Sequence, residues 1–405
     1  MTSKKKLYNF ASILDEETRK QAIECSQLDI IYPHIALMPD AHLGLGATVG
    51  SVIATEKAII PSAVGVDLGC GMIAFKTPLT VNDFEGKDLS ILRKNIEKVI
   101  PLSAGHYNKT LLPSTLDKIS ILEEHLEILK SQTSGEVPPV LNDSDSIRSW
   151  KYQLGTLGSG NHFIEISKDE EDYIWIFLHS GSRGVGNQIA TFYIDKSKKT
   201  CKDTNLPNKD LSYFREDEDI FRDYVGYVIW SQNFALQNRL EMLERVAKEL
   251  EQFMGSNFYS VLSEDERNQS TIQCHHNFVQ SEFHYGKQVW VTRKGAIEAQ
   301  KGQFGLIPGS MGTASYIVVG KGNKISLNSS PHGAGRLRSR TASRKMFTKK
   351  DLEDVMGSIE YNRDSKAFID EIPMAYKDIN VVMEDSKKLV KIVRKLNQII
   401  NVKGD

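Results

Sequence analysis

The sequence predicts an α/β protein, with α+β as the open alternative: one large domain over residues 1–405, made of mixed sheets with helical inserts. Three observations predict it. Short apolar runs are broken by Gly, Pro and Asp, as in buried strands joined by loops. Longer stretches repeat apolar residues every three or four positions. Strand-like runs recur on both sides of those stretches, which favours one interleaved domain over a string of separate ones.

In chain order, "PHIALMPDAHLGLGATVGSVIAT" and "AIIPSAVGVDLGCGMIAFKT" give the first hundred residues strand texture. The spacing of Leu116, Ile119, Leu122, Leu126 and Leu129 then predicts a helix, and "SGEVPPVLNDSDS" a loop. "YIWIFL" reads as a buried strand that delivers His179 into the glycine-rich loop "HSGSRGVGN". A second helix carries Leu236, Leu240, Leu243, Leu250 and Met254 on one side and stops at Gly255. "QVWVTRKGA" and "ASYIVVG" resume the strands. "DSKKLVKIVRKLNQII" predicts an amphipathic helix through Leu389, Ile392, Val393, Leu396 and Ile400. There is no internal repeat.

The chain has 405 residues, 40% of them hydrophobic, and a formal net charge of -1, so a nucleic-acid site has to be a local basic patch. The basic residues of "MTSKKKLYNF" have no apolar signal core behind them, and no stretch approaches a membrane span. The four cysteines form no CxxC pair, so free thiols in a reducing cytoplasm are expected.

Six of the ten histidines fall where strands run into glycine-rich loops: His42, His162, His179, His275, His276 and His332. Asp67 and Cys70 share that setting in "GVDLGCGM". A lone histidine is more often a hydrogen-bonded core residue than a ligand; the repetition shifts the balance. A site drawn from Cys, Asp and His suits Mn, Fe, Co or Zn better than Mg or Ca, and a thiolate can bridge two ions. His125, in "EEHLE", reads as a solvated helix residue, and His34, His106 and His284 receive no role. "HSGSRGVGN", "IPGSMGTAS" and "HGAGRLRSR" can present backbone N–H groups to an anion, and Arg183 and Arg336 favour phosphate. The basic run from Arg336 to Lys350 can be a solvated face or can seat a polynucleotide backbone.

The ordered set "MPDAHLG", "GVDLGCGM", "LGSGNHFIEI", "HSGSRGVGN", "CHHN", "RKGAI", "IPGSMG", "HGAGR" and "AYKDI" resembles the RtcB family of RNA ligases, the tRNA-splicing ligases. The resemblance implies joining of an RNA 3′-phosphate or 2′,3′-cyclic phosphate to a 5′-hydroxyl, with GTP and two Mn2+ ions, in tRNA splicing or RNA repair. It implies a metal set of Asp67, Cys70, His162, His179 and His276. His332 would become guanylylated and Asp40 would orient it. The GTP site would comprise Asn161, Glu165, Ser310, Gly333, Ala334, Gly335, Arg336, Tyr376 and Lys403. Arg183, Arg336 and Arg340 would hold RNA phosphates, on loop position and charge; an activating protein partner is left open. Pro331 stands where a small polar residue is expected, and it biases Ser330 to an extended conformation. The alternative is a metal-dependent RNA cyclic phosphodiesterase on the same scaffold, which needs the metal set but not His332. A non-enzymatic RNA-binding subunit fits the neutral charge and the abundance of metal-type residues poorly.

Overall fold

A computed structural model describes residues 6–142, 149–364 and 367–404; positions 143–146 of the expected "SGEVPPVLNDSDS" loop lie outside them. The structure has the expected mixture of helix and sheet. Its largest sheet has seven strands, in the order Phe304–Ile307, Ser315–Gly320, Val390–Val402, Phe163–Lys168, Tyr173–Ser180, Gly71–Thr80 and Thr271–His275. All neighbours in it are antiparallel. A second sheet of five strands runs Leu7–Asn9, Ile31–His42, Val49–Thr55, Lys287–Lys294 and Asn277–His284. Its one parallel pair joins Leu7–Asn9 to Ile31–His42.

The two sheets pack face to face, and side-chain alternation sorts the core. Met72 and Ala74 turn toward Val52, Ala54, Val289 and Val291 of the smaller sheet. Ile73 and Phe75 turn the other way, onto Met242, Val246 and Leu250 of helix Asp219–Met254 and onto Leu92 and Ile96 of helix Leu89–Val99. The large sheet is thus buried on both faces, which is why its strands read as unbroken apolar runs such as "YIWIFL".

The helix expected from Leu116 spans Pro113–Gln132, with Ile119, Leu122 and Leu126 buried. The second expected helix does stop at Gly255, in the left-handed conformation at φ 65°, but it begins at Asp219, well before Leu236. Two helices of eleven residues, Glu16–Ser26 and Leu89–Val99, and the single turn Pro61–Val64 interrupt the strand-like first hundred residues. The sequence signals of the two longer ones are the caps Asp15 and Asp88, whose carboxylates accept from the N–H groups of Thr18 and Ser90. The loop expected in "HSGSRGVGN" is short: helix Arg183–Thr200 begins inside it.

One expectation is overturned. "DSKKLVKIVRKLNQII" is no amphipathic helix; strand Val390–Val402 occupies most of it, between Ser315–Gly320 and Phe163–Lys168. Register shifts on both sides of this strand change which residues face inward, so its apolar positions mimic three-and-four spacing. The true period is two, with Leu396, Gln398, Ile400 and Val402 buried and Ile392 exposed. Its β-branched content was the better signal. No helix among the described residues is long and apolar enough to cross a membrane.

Candidate active site

Four adjacent strands of the large sheet begin or end at one edge, and the metal-type residues sit there. His162 immediately precedes Phe163–Lys168, His179 lies near the end of Tyr173–Ser180, Cys70 precedes Gly71–Thr80 and His276 follows Thr271–His275. Register aligns them: Phe163 and Met72 both pair with His179, and Gly71 pairs with Ser180 and His275. The glycine after Cys70 allows that close approach, since a Cβ on Gly71 would lie 2.1 Å from the Cys274 carbonyl oxygen.

The hydrogen bonds around the rings fix where their lone pairs point. His162 Nδ1–H donates to the Leu157 carbonyl at 2.9 Å, which leaves Nε2 as a lone pair. That Nε2 is 3.0 Å from Asp67 Oδ2 and 3.4 Å from Cys70 Sγ. His179 Nδ1–H donates to the Asn161 carbonyl at 3.2 Å, and its Nε2 lies 3.3 Å from Cys70 Sγ and 2.8 Å from His276 Nε2. His162 Nε2 and Asp67 Oδ2 are both acceptors, and that pair calls for a shared proton or a cation; the His276 ring, with no partner at Nδ1 among the described residues, can turn either a proton or a lone pair toward His179. Imidazoles steered by carbonyls, with a thiol and a carboxylate, make a donor set suited to a borderline-soft metal ion. The ligand atoms of Cys70, His162 and His179 all lie within 4.8 Å of one another, so this buried group can hold a metal.

Asp67 is ready to serve as an anion. Burial works to raise its carboxyl, but a proton shared with the His162 ring, together with the Arg183 charge, outweighs burial and holds it at about 2. Without a cation, burial and then the Asp67 charge push the Cys70 thiol well up, so a bound metal has to displace its proton.

A fully buried arginine, Arg239 of helix Asp219–Met254, ties the segments that carry the cluster together. Its Nη1 donates to the carbonyls of Gly69 at 3.0 Å and Ser180 at 2.9 Å, one residue from Cys70 and His179 respectively. Its Nη2 lies 3.2 Å from His275 Nδ1, beside His276. Sequence reading missed this residue, because nothing within its helix marks it as different from other basic positions. Replacing Arg239 with Met takes the arginine donor from the buried Ser180 carbonyl, at about 1–3 kcal/mol, and leaves the Gly69 carbonyl with the His275 ring alone. The expected result is a lower urea midpoint together with weaker metal uptake; an unchanged midpoint would show that the clamp has no energetic weight.

His332 follows the short strand Ser329–Pro331, where Ser330 is extended as Pro331 demands. Asp40, fully buried in Ile31–His42, accepts from His332 Nδ1–H at 2.6 Å and from the His332 backbone N–H at 3.1 Å. The bond at Nδ1 leaves Nε2 as the free nitrogen of that ring. Lys377 pins the backbone around Asp40 by donating to the carbonyls of Pro39 at 3.0 Å and Ala41 at 2.7 Å. The His332 and His276 rings lie 4.6 Å apart between centroids, so His332 adjoins the metal-type cluster.

Both open onto one cavity of about 350 Å³. Asn161, Glu165, Ser310, Tyr376 and Lys403 line it, as do all four residues of Gly333–Arg336 and Arg340. Three of the cluster, Asp67, His179 and His276, form part of its wall; Cys70, His162 and Asp40 lie behind it. Burial raises the Glu165 carboxyl to about 8, against the pull of Lys403. Glu371, which sequence reading also missed, gathers the surrounding cations: Lys403 at 3.5 Å, Arg336 at 3.2 Å and Arg340 at 2.8 Å. It also accepts the Tyr376 hydroxyl at 2.6 Å. In sequence it sits in "IDEIP", with no glycine context to flag it.

The three expected RNA arginines separate. Arg336 and Arg340 line this cavity and are paired to acidic residues, whereas Arg183 does not reach it. In the basic run, Arg344 pairs with Asp370 at 3.3 Å and Lys349 with Glu353 at 3.7 Å, while Lys345 and Lys350 are exposed. His42 lines the cavity too, with its Nδ1–H donated to the Asp40 carbonyl, and burial lowers it to about 4. His275 turns away from the cluster, toward the Gly69 carbonyl at 2.8 Å. His125 is exposed, as expected of a solvated helix residue.

A family model described as tRNA-splicing ligase RtcB matches residues 21–404. The chain belongs to the RtcB family. It is 44% identical over 402 residues to RNA-splicing ligase RtcB1 of Escherichia coli strain ATCC 25922, covering 96% of this chain and 95% of that protein. RNA-splicing ligase RtcB of E. coli K12 is 43% identical over 407 residues, with the same shares covered. The tRNA-splicing ligase RtcB of Nanoarchaeum equitans is 30% identical, covering 96% of this chain and 92% of that protein. The cluster, His332 and the cavity thus stand in an RtcB-family chain matched along nearly its whole length.

Proposed function

We propose that the chain is a GTP-dependent RNA ligase that seals a 3′-phosphate or 2′,3′-cyclic phosphate end to a 5′-hydroxyl end, through GMP held covalently on His332. It works as one catalytic domain in the cytoplasm, in tRNA splicing or RNA repair. The observation that carries this reading is His332, its Nδ1–H held by Asp40 and its other nitrogen left free beside a cavity next to the Cys/His/Asp cluster. A phosphodiesterase that only opens cyclic phosphates has no use for that arrangement.

Asp67, Cys70, His162, His179 and His276 would hold two Mn2+ ions, whose chemistry is neutralisation of charge on the reacting phosphates. The protein's own residues account for the rest. Asp40 fixes the His332 tautomer, so that Nε2 attacks the α-phosphorus of GTP. An N–P bond forms, the bond to the β-phosphate breaks, and pyrophosphate leaves. Asp40 stabilises the positive ring as that charge develops. An oxygen of the RNA 3′-phosphate then attacks the same phosphorus, and His332 departs. The 5′-hydroxyl finally attacks the RNA phosphate and expels GMP. A cyclic phosphate is first opened by water. Asn161 contacts the GTP phosphates, Gly333–Arg336 cradles them, and Glu165, Ser310, Tyr376 and Lys403 surround the guanosine.

Incubation with labelled GTP and manganese tests the reading. A covalent label with the mass of GMP, stable to alkali and labile to acid, is expected; a label that maps to a lysine would overturn it.

A pH dependence follows from Glu165. At about 8, this carboxyl is largely protonated in the free site at neutral pH. Guanine offers N–H donors that require the carboxylate form. Binding therefore releases a proton, and GTP affinity should rise with pH up to about 8 and then level off. Glu165→Gln should remove the slope. Titration calorimetry in buffers of different ionisation enthalpy measures the released proton directly.

A further inference from the structure

We propose that Arg293 is a positioning residue for His332: it holds the strained turn that leads into that residue. The inference goes beyond the ligase reading above and takes from it only that His332 is the nucleophile. Arg293 opens the segment "RKGAI" and is fully buried in strand Lys287–Lys294.

Leu327 and Asn328 both take the left-handed backbone conformation, at φ 53° and 52°. Asparagine tolerates that region, but a branched residue such as leucine adopts it at a cost. The Leu327 side chain is fully buried in the core between the sheets, so the turn cannot relax without disturbing that packing. Strand Ser329–Pro331 and then His332 follow directly. A change in the turn therefore moves the ring.

Arg293 straddles this turn. Its Nε donates to Ser329 Oγ at 2.8 Å and its Nη2 to the Leu327 carbonyl at 3.1 Å, one on each side of Asn328. Ser329 Oγ donates in turn to the same carbonyl at 2.9 Å. The guanidinium is itself anchored, because Nη1 and Nη2 donate to the two carboxylate oxygens of Glu282 at 2.5 Å and 3.2 Å. Glu282 also accepts from Gln280 Nε2 and from the His284 ring, each at 2.8 Å. Burial works to raise its carboxyl, but the His284 bond and the Arg293 charge hold it at about 2, so the anchor stays an anion. A buried pair of this kind adds little net stability; what it supplies here is a fixed geometry.

The same segment makes room for the ring. Gly295 has φ 63°, and a Cβ there would lie 3.0 Å from His332 Cε1. Ala296–Glu298 then pairs antiparallel with Ser329–Pro331. One stretch of chain thus grips the turn before His332, pairs with the strand that leads to it and flanks its imidazole. With the ring so placed, Nδ1–H meets Asp40 at 2.6 Å and Nε2 is left to react.

The test uses the full chain and two variants. Arg293→Lys keeps the charge and loses the planar fork; Ser329→Ala removes one acceptor and leaves the pair with Glu282. Nitrogen NMR of the histidine rings, with diamagnetic zinc in place of manganese, reads the His332 tautomer, and His332→Ala assigns its signals. The wild type should show one tautomer, protonated at Nδ1. Both variants should show it mixed with the Nε2–H form. At saturating GTP and manganese, the GMP adduct should form about 10²-fold more slowly in Arg293→Lys and about fivefold more slowly in Ser329→Ala. Metal content and the GTP concentration for half-maximal rate should match the wild type, which a general loosening of the fold would not allow. An unchanged tautomer in both variants, or an adduct rate that falls only in step with metal content or GTP affinity, would overturn the assignment. If Arg293→Lys does not fold, Ser329→Ala decides by the same readings. If the wild-type protein forms no GMP adduct, the ligase reading fails, and the tautomer still decides whether Arg293 sets the His332 ring.

Discussion

Replacing His332 with alanine should abolish both the GMP adduct and the sealing of 3′-phosphate ends, while metal occupancy stays close to that of the wild type. The separation follows from the geometry. His332 is oriented by Asp40 through a 2.6 Å hydrogen bond and sits next to His276, but it contributes no atom to the Cys70, His162 and His179 group. Loss of a nucleophile has no partial substitute, so the drop should reach the detection limit, on the order of 10⁴-fold or more. His276→Ala should behave in the opposite way and lower metal occupancy. His275→Ala should do much less, because that ring faces the Gly69 carbonyl. Intact-protein mass spectrometry and metal analysis of these variants distinguish the roles. An adduct that persists in His332→Ala would make the assigned nucleophile wrong.

Cys70→Ala should lose bound metal and all downstream chemistry, whereas Cys25→Ala and Cys201→Ala should bind metal and ligate as the wild type does. Cys70 Sγ lies within 3.4 Å of the Nε2 atoms of both His162 and His179, so its removal takes away the atom those rings share. Cys25 packs among Ala22, Leu28 and Ile30, far from any donor set, and Cys201 donates to the Tyr213 carbonyl. The free Cys70 thiol is held protonated by burial and Asp67, so metal uptake should release a proton and weaken as pH falls. Zinc should compete with manganese for these ligands. A Cys70→Ala protein that retains full metal stoichiometry would remove the thiolate from the site.

The residues that the fold gathers into the cluster beside His332 were legible in the sequence because they stand in glycine-rich turns at strand ends, and such turns keep their composition whatever the surrounding fold. Cys70, His162, His179 and His332 all carry that mark. What escaped were residues that act from regular structure. Arg239 reaches the loops beside Cys70 and His179 from the middle of a long helix, and Glu371 collects its cations from a short helical turn without glycine. A local pattern cannot reveal a partner supplied by a distant part of the chain. The same holds for Val390–Val402, where register shifts blurred the period that would have identified a strand. Pairing partners decided its conformation, and they lie as far back in the chain as Phe163–Lys168.

The position of that strand has a consequence for synthesis on the ribosome. Val390–Val402 lies inside the seven-stranded sheet, yet it emerges after every other strand there. Until then the nascent chain carries two separate sheet fragments, each with an open edge where its partner belongs. Asn401 and Lys403, which wall the cavity beside His332, arrive with it or just behind it. Nascent protein should therefore be unable to bind guanine nucleotide until translation has passed this segment. Those open edges are also natural places for chaperones to engage, or for two unfinished chains to pair with each other.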